Sequence, residues 1–205
     1  MDKGKLIVLD GLDGCGKSTQ IAYIKEFLEE TGYEVILCRE PGGTKISEQI
    51  REVILDKDNR EMDDVTEMLL YAAARAQLVS EVIKPALEAG KIVICDRFVD
   101  SSAVYQGIAR GLGIDTVYQV NSYALHGLTP DVTFLLDLPA EEGIRRKDKQ
   151  HALDRMELET LSFHEQVAEG YRTLAKGQER IILVDAMQQK EQIRDILLQK
   201  LRTLL

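Results

Sequence analysis

Eight residues near the N-terminus, Gly11-Leu12-Asp13-Gly14-Cys15-Gly16-Lys17-Ser18, match the spacing G-x-x-x-x-G-K-[ST] at every specified position. The pattern suits a phosphate chain for physical reasons. Its glycines let backbone N–H groups turn inward, and the helix that Ser18 and Thr19 open adds about half a positive charge at the same place. Lys17 can reach the β- and γ-phosphates, and the Ser18 hydroxyl can bind Mg²⁺. The preceding apolar run, Leu6-Ile7-Val8-Leu9, reads as a strand buried on both faces. A loop of this kind between a strand and a helix predicts triphosphate binding over Gly11–Thr19.

Other residue types call for partners around that loop. Asp96 directly follows a second apolar run, Ile92–Cys95, so it is either a partner of Mg²⁺ or a turn-capping carboxylate. Arg97 beside it points a guanidinium into the same cleft or stays a solvated loop charge. Asp13 lies inside the phosphate loop, where a carboxylate is repelled by phosphates unless Mg²⁺ or an acceptor hydroxyl is near. It therefore implies a second substrate, or else it merely forms the turn. Along a helical stretch, the small Ala72, Ala73 and Ala74 leave room for a flat ligand, with Tyr71 able to stack on it and Arg75 to bond its edge, unless both are ordinary core and surface residues. Arg145, Arg146, Lys147, Lys149 and Arg155 form a local basic cluster in a chain of formal net charge −9. Closing over phosphates, such a segment would neutralise the charge of a phosphoryl group in flight and exclude water; the alternative is a solvated helix face.

The elements that must position these residues follow from periodicity. Apolar runs at Glu34–Cys38, Lys91–Cys95, Val132–Leu138 and Arg180–Val184 add four strands to the first. Between them lie helical patterns: Ser18 to Gly32, Ser47–Leu55, one long helix over Val65–Ala89 that Pro85 must kink or interrupt, 115–126, Leu158–Ala175 and Glu191–Leu204. Pro139 opens a further helix as its first residue. Gln106–Gly113 reads as a glycine-bearing loop. The alternation predicts an α/β fold, a five-stranded parallel sheet with helices on both faces, as a single unit over residues 1–205 with a short lid over about 143–156. Ligands bind such sheets outside the carboxyl ends of the strands, and Asp10–Ser18, Arg39–Thr44 and Asp96–Arg97 all fall there.

Composition sets the outer bounds. At 44% apolar and 30% charged residues, the 205-residue chain is ordinary for a globular protein, and its acidity argues against nucleic acid or an anionic membrane as partner. Three cysteines, Cys15, Cys38 and Cys95, cannot form a complete disulfide framework and suit a reducing cytoplasm. The N-terminus shows no signal-type apolar region, and no run approaches membrane-spanning length.

Together the motifs resemble bacterial thymidylate kinases, P-loop nucleoside monophosphate kinases. The landmarks are DGLDGCGKSTQ, REPGGT (Arg39–Thr44), LLYAAARAQ (Leu69–Gln77), DRF with SSAVYQG (Asp96–Gly107), LDLPAEEGIRR (Leu136–Arg146), DRME (Asp154–Glu157) and FHEQVAEGYRTLA (Phe163–Ala175), in the family's order. The resemblance implies transfer of the ATP γ-phosphoryl group to dTMP in dTTP biosynthesis, with Mg²⁺ required. It implies that Lys17, Ser18 and the loop hold ATP and that Arg39 and Arg97 hold the dTMP phosphate. Tyr71 then stacks on thymine, Arg75 reads the base edge and Asp13 takes the 3′-hydroxyl. Tyr105 and Gln106 close on the sugar and base, with Pro41 and Ser101 at the same pocket. A homodimer packed through helices including the long one is implied as well. The chain has Asp10 where the family often has Glu, Tyr71 where Phe is common, and Gly14 where some members place an arginine. The missing charge is then expected from Arg145, Arg146 or Arg155. Residues alone leave open another acceptor on the same fold, or a nucleotide-dependent switch.

Overall fold

The computed structural model describes residues 4–147 and 154–205. Five strands, β1 (Leu6–Gly11), β2 (Val35–Arg39), β3 (Ile92–Asp96), β4 (Val132–Asp137) and β5 (Ile181–Asp185), form one parallel sheet in the order β2-β3-β1-β4-β5. Central β1 is buried along its whole length, the condition under which a strand is apolar on both faces. Its side chains alternate. Ile7 and Leu9 pack with Ile24 and Leu28 of α1 (Lys17–Glu30) and Ile193, Leu197 and Leu201 of α9 (Lys190–Leu204). Leu6 and Val8 face the other way, toward Leu78, Val79 and Ile83. Helices cover both faces, as the alternating pattern predicts. A third apolar cluster seats Val167 and Tyr171 of α8 (Leu161–Lys176) on Leu135 and Val104.

The remaining helices are α2 (Lys45–Leu55), α3 (Asp64–Leu78), α4 (Lys84–Glu88), α5 (Val99–Ser102), α6 (Ile114–Leu125) and α7 (Ala140–Lys147). Thr44 caps α2 by accepting from Ser47 N–H, and Asp63 caps α3. The helix expected over Val65–Ala89 is interrupted near Pro85, as the ring requires, and two other sequence expectations need correction. Over Val65–Ala89, α3 and α4 are joined by a π-helical stretch, Val79–Ile83. The wider turns change register just before Pro85, whose missing N–H cannot continue an α-helical ladder. Gln106–Gly113 is not a loop at its start, because a second π-helical stretch, Ala103–Ala109, continues α5. Buried Ala103, Val104, Gln106 and Gly107 outweigh the glycine signal. Helix α8 begins at Leu161, three residues after the predicted start, where Thr160 supplies its cap.

The parallel register brings the carboxyl ends together. Arg39 pairs with Asp96, and Leu9 with the same Asp96 across the other edge of β3. The loops after β1, β2 and β3 therefore open onto one cleft.

Candidate active site

In the loop after β1, Gly11, Gly14 and Gly16 have φ of 131°, 78° and 97°, values that side chains disfavour and glycine does not. The Lys17 ammonium donates to the Gly11 and Leu12 carbonyls at 3.1 Å each, arching over the loop. Cys15 is buried beneath it, and burial pushes its thiol pKa up, so it is no nucleophile. Ser18 and Thr19 stay exposed on the first turn of α1. At Gly14 a Cβ would lie 2.6 Å from the Gly143 carbonyl oxygen, and at Gly143 one would lie 2.8 Å from that of Asp13. Loop and α7 touch backbone to backbone, which is why no arginine can stand at Gly14.

Asp13 lies between two cations. Its carboxylate accepts from Arg97 Nη2 at 2.7 Å and stands 3.7 Å from Lys17 Nζ. Arg97 has φ of 66°, a conformation that costs a non-glycine residue energy and clusters at functional sites. Its Nη1 lies 3.3 Å from Asp10 Oδ1 and 3.3 Å from the Tyr171 hydroxyl. Tyr171 and Ser101 both donate to Asp10, and the Arg97 guanidinium rests 5.4 Å from the Tyr105 ring centre. Burial opposes the Arg97 charge, but Tyr105, Asp13, Tyr171 and Asp10 outweigh it and hold the guanidinium firmly charged. Burial pushes the Asp10 carboxyl up, with Arg97 and the Ser101 and Tyr171 hydroxyls opposing.

The cleft beyond Asp13 is lined by Arg39, Pro41, Tyr71, Ser101, Tyr105 and Gln106, all expected from sequence. Arg39 Nη2 donates to both Glu48 carboxylate oxygens, at 2.8 and 2.9 Å, and Nη1 donates to the Pro41 carbonyl. Arg51, which sequence reasoning missed, donates to the same carbonyl at 2.9 Å. It shares the inward face of α2 with Ser47 and Ile54, and a cation at helical spacing on a buried face was the available signal.

The sequence model of the thymidylate kinase family matches residues 9–196. A thymidylate kinase of Thermoanaerobacter sp. is 53% identical over 91% of this chain and 92% of its own length. One of Geobacillus sp. is 48% identical over 93% and 92%. The chain belongs to the thymidylate kinase family. A crystal structure of the Ehrlichia chaffeensis thymidylate kinase, 28% identical, superposes with a TM-score of 0.79 over 98% of this chain and 99% of that one.

In this kinase four further arginines expected at the site are placed unevenly. Arg75 is 1% exposed and does not line the cleft. Its Nε and Nη2 donate to Glu40, its Nη1 to Asn121 and its Nη2 to Ser102 at 3.1 Å. Held in this way, Arg75 supports the wall behind Glu40 and Ser102, and every face of its guanidinium meets an acceptor. Arg155 is held likewise. It pairs with buried Glu67 at 2.7 Å and donates to the Ile54 carbonyl, which turns its charge away from the phosphate loop. Arg146 leans on the loop, with Nη1 3.5 Å from the Gly14 carbonyl. Arg145 is exposed and joins Arg146 on Glu142, whose pKa their hydrogen bonds lower to about 2. Lys149 and the Lys147 side chain lie outside the described residues. Asp96 reaches the cleft with Oδ1 buried and without a hydrogen-bond partner among the described residues. Glu40, Leu55, Ser102, Asp154, Met156 and Glu157, not singled out as site residues in the sequence, also line it.

Proposed function

We propose that this enzyme transfers the γ-phosphoryl group of ATP to dTMP, giving dTDP and ADP. The supporting observation is Asp13, one carboxylate shared between Lys17 of the donor loop and Arg97 of the acceptor cleft. In this reading Lys17 and the loop N–H groups hold the β- and γ-phosphates. Arg39, Arg51 and Arg97 draw the acceptor phosphate into line, and Tyr71 stacks on the base. An oxygen of the dTMP phosphate then attacks the γ-phosphorus as the bond to the bridging oxygen of ADP breaks. Such a reaction is catalysed mainly by position and charge neutralisation. Arg146 is the described lid-side guanidinium beside the loop.

The residues present fit Mg²⁺. Asp96 offers a buried oxygen that has no partner among the described residues, and Ser18 offers a hydroxyl. Among the described residues no three acidic, His or Cys side chains group for a metal, in keeping with an ion that takes few protein ligands and completes its shell from phosphates and water. Bound there, it would neutralise charge on the β- and γ-phosphates.

The enzyme acts as a homodimer in the cytoplasm. Half-exposed Val65 and Leu69 on α3 and the 83% exposed Tyr123 on α6 support an apolar contact between copies, and its three cysteines are free. Among the described residues no helix is long and apolar enough to cross a membrane.

Coupled ADP release with dTMP, dUMP and dCMP as acceptors tests the reading. Turnover should be negligible without acceptor and greatest with dTMP. Strong acceptor-free hydrolysis would instead mark a switch, and a preference for dCMP would reject thymine as the base this cleft takes.

A further inference from the structure

Gln106 lines the cleft, yet its carboxamide is tied behind the wall, where Nε2 donates to Glu67 Oε1 at 2.8 Å. Both residues are fully buried. Which end of an amide faces which way is set by its neighbours, and here the neighbour leaves one choice. An ionised carboxylate has no hydrogen to give. Glu67 also takes Arg110 Nη2 at 3.1 Å and stands 2.7 Å from Arg155 Nη2. Burial pulls its pKa up, but Arg110, Gln106 and Arg155 outweigh that and leave it below the ordinary value. The Gln106 NH₂ must therefore face Glu67, and its Oε1 accepts no hydrogen bond from the described residues.

We propose that Glu67 is a positioning residue for base selection, holding the Gln106 amide so that Oε1 faces the bound base as an acceptor. The proposal rests on the reading of this cleft as the dTMP site. A pyrimidine ring protonated at N3, as in thymine and uracil, gives that oxygen a hydrogen. Cytosine has a bare N3 and sets lone pair against lone pair, leaving a buried acceptor unpaired. The 5-methyl group takes no part, so this device rejects dCMP and treats dTMP and dUMP alike.

The test is Glu67→Gln, whose neutral amide both donates and accepts and so releases Gln106 to turn over. Values of kcat/KM for dTMP, dUMP and dCMP are measured on wild type and variant, with thermal unfolding as the check on folding. The dTMP-to-dCMP ratio should fall at least about tenfold, with the dTMP-to-dUMP ratio within about twofold of wild type. A purely structural role for Glu67 would lower all three rates together, and an unchanged dTMP-to-dCMP ratio in the folded variant overturns the proposal. Should Glu67→Gln fail to fold, Gln106→Leu decides, because it leaves the Glu67 ion pairs in place. The same selective loss supports the proposal and an unchanged ratio overturns it. A wild-type enzyme that does not prefer dTMP to dCMP would reject the substrate reading itself. A wild type that does, paired with an unmoved variant, rejects only the role of Glu67.

Discussion

Arg97 meets Asp10, Asp13 and Tyr171 through one guanidinium and bears a left-handed backbone to do so. Lysine keeps the charge but lacks the planar fork. Arg97→Lys should therefore lower kcat/KM for dTMP at least about 100-fold with the KM for ATP little changed, and steady-state kinetics with each substrate varied in turn would show it. Arg75 makes the opposite case. Its partners are Glu40, Asn121 and Ser102, so its loss strands a buried carboxylate. Arg75→Met should cost about 3–5 kcal/mol in urea unfolding, and pairing it with Glu40→Gln should restore much of that. A variant of unchanged stability with a raised KM for dTMP would return Arg75 to the base edge.

Among the elements, the phosphate loop and α7 meet backbone to backbone, with Gly14 and Gly143 facing each other's chain. Gly143→Ala drives a Cβ against the Asp13 carbonyl, and overpacking of this kind costs about 1–3 kcal/mol. The KM for ATP should rise more than the KM for dTMP, because the displaced backbone belongs to the donor loop. The same contact carries Arg146 to the loop while Arg155 stays with Glu67. Arg146→Ala should lower kcat at least about tenfold. Arg155→Ala should appear mainly as lost stability, and equal kcat losses from both would contradict the placement.

Across the whole molecule, buried and paired carboxylates shape the response to pH. Glu67 sits below its ordinary value of 4.5 in the folded chain, where Arg110, Gln106 and Arg155 outweigh the opposing burial. Its contribution is therefore full above pH 4.5 and disappears as the pH falls through the folded value. Asp10 and Glu40 run the other way. Burial raises both, so their contribution is present below the ordinary values of 3.8 and 4.5 and is lost as the pH rises through the folded values. Urea midpoints should thus drop on acidification below about pH 4.5, more shallowly in Glu67→Gln than in wild type. An equally steep drop in the variant would remove Glu67 from the acid response.

Much of this protein was legible in the sequence where the physics is local. A strand–glycine–helix junction needs only its own residues, so Gly11–Thr19 and the alternation that builds a parallel sheet could be read directly. Pro85 announced an interruption but not its π-helical form, and nothing local marked the second stretch, where Gln106 reaches back to Glu67. Arg51 looked like any helix cation, and Glu67 like any carboxylate. Residue types told which charges the chemistry needs. Which arginine serves which carboxylate was decided only by the assembled fold, which brings Asp10 to Tyr171, Asp13 to Arg97 and Glu40 to Arg75 across long stretches of chain. A charge finds its partner by distance in space, and distance along the chain does not encode it.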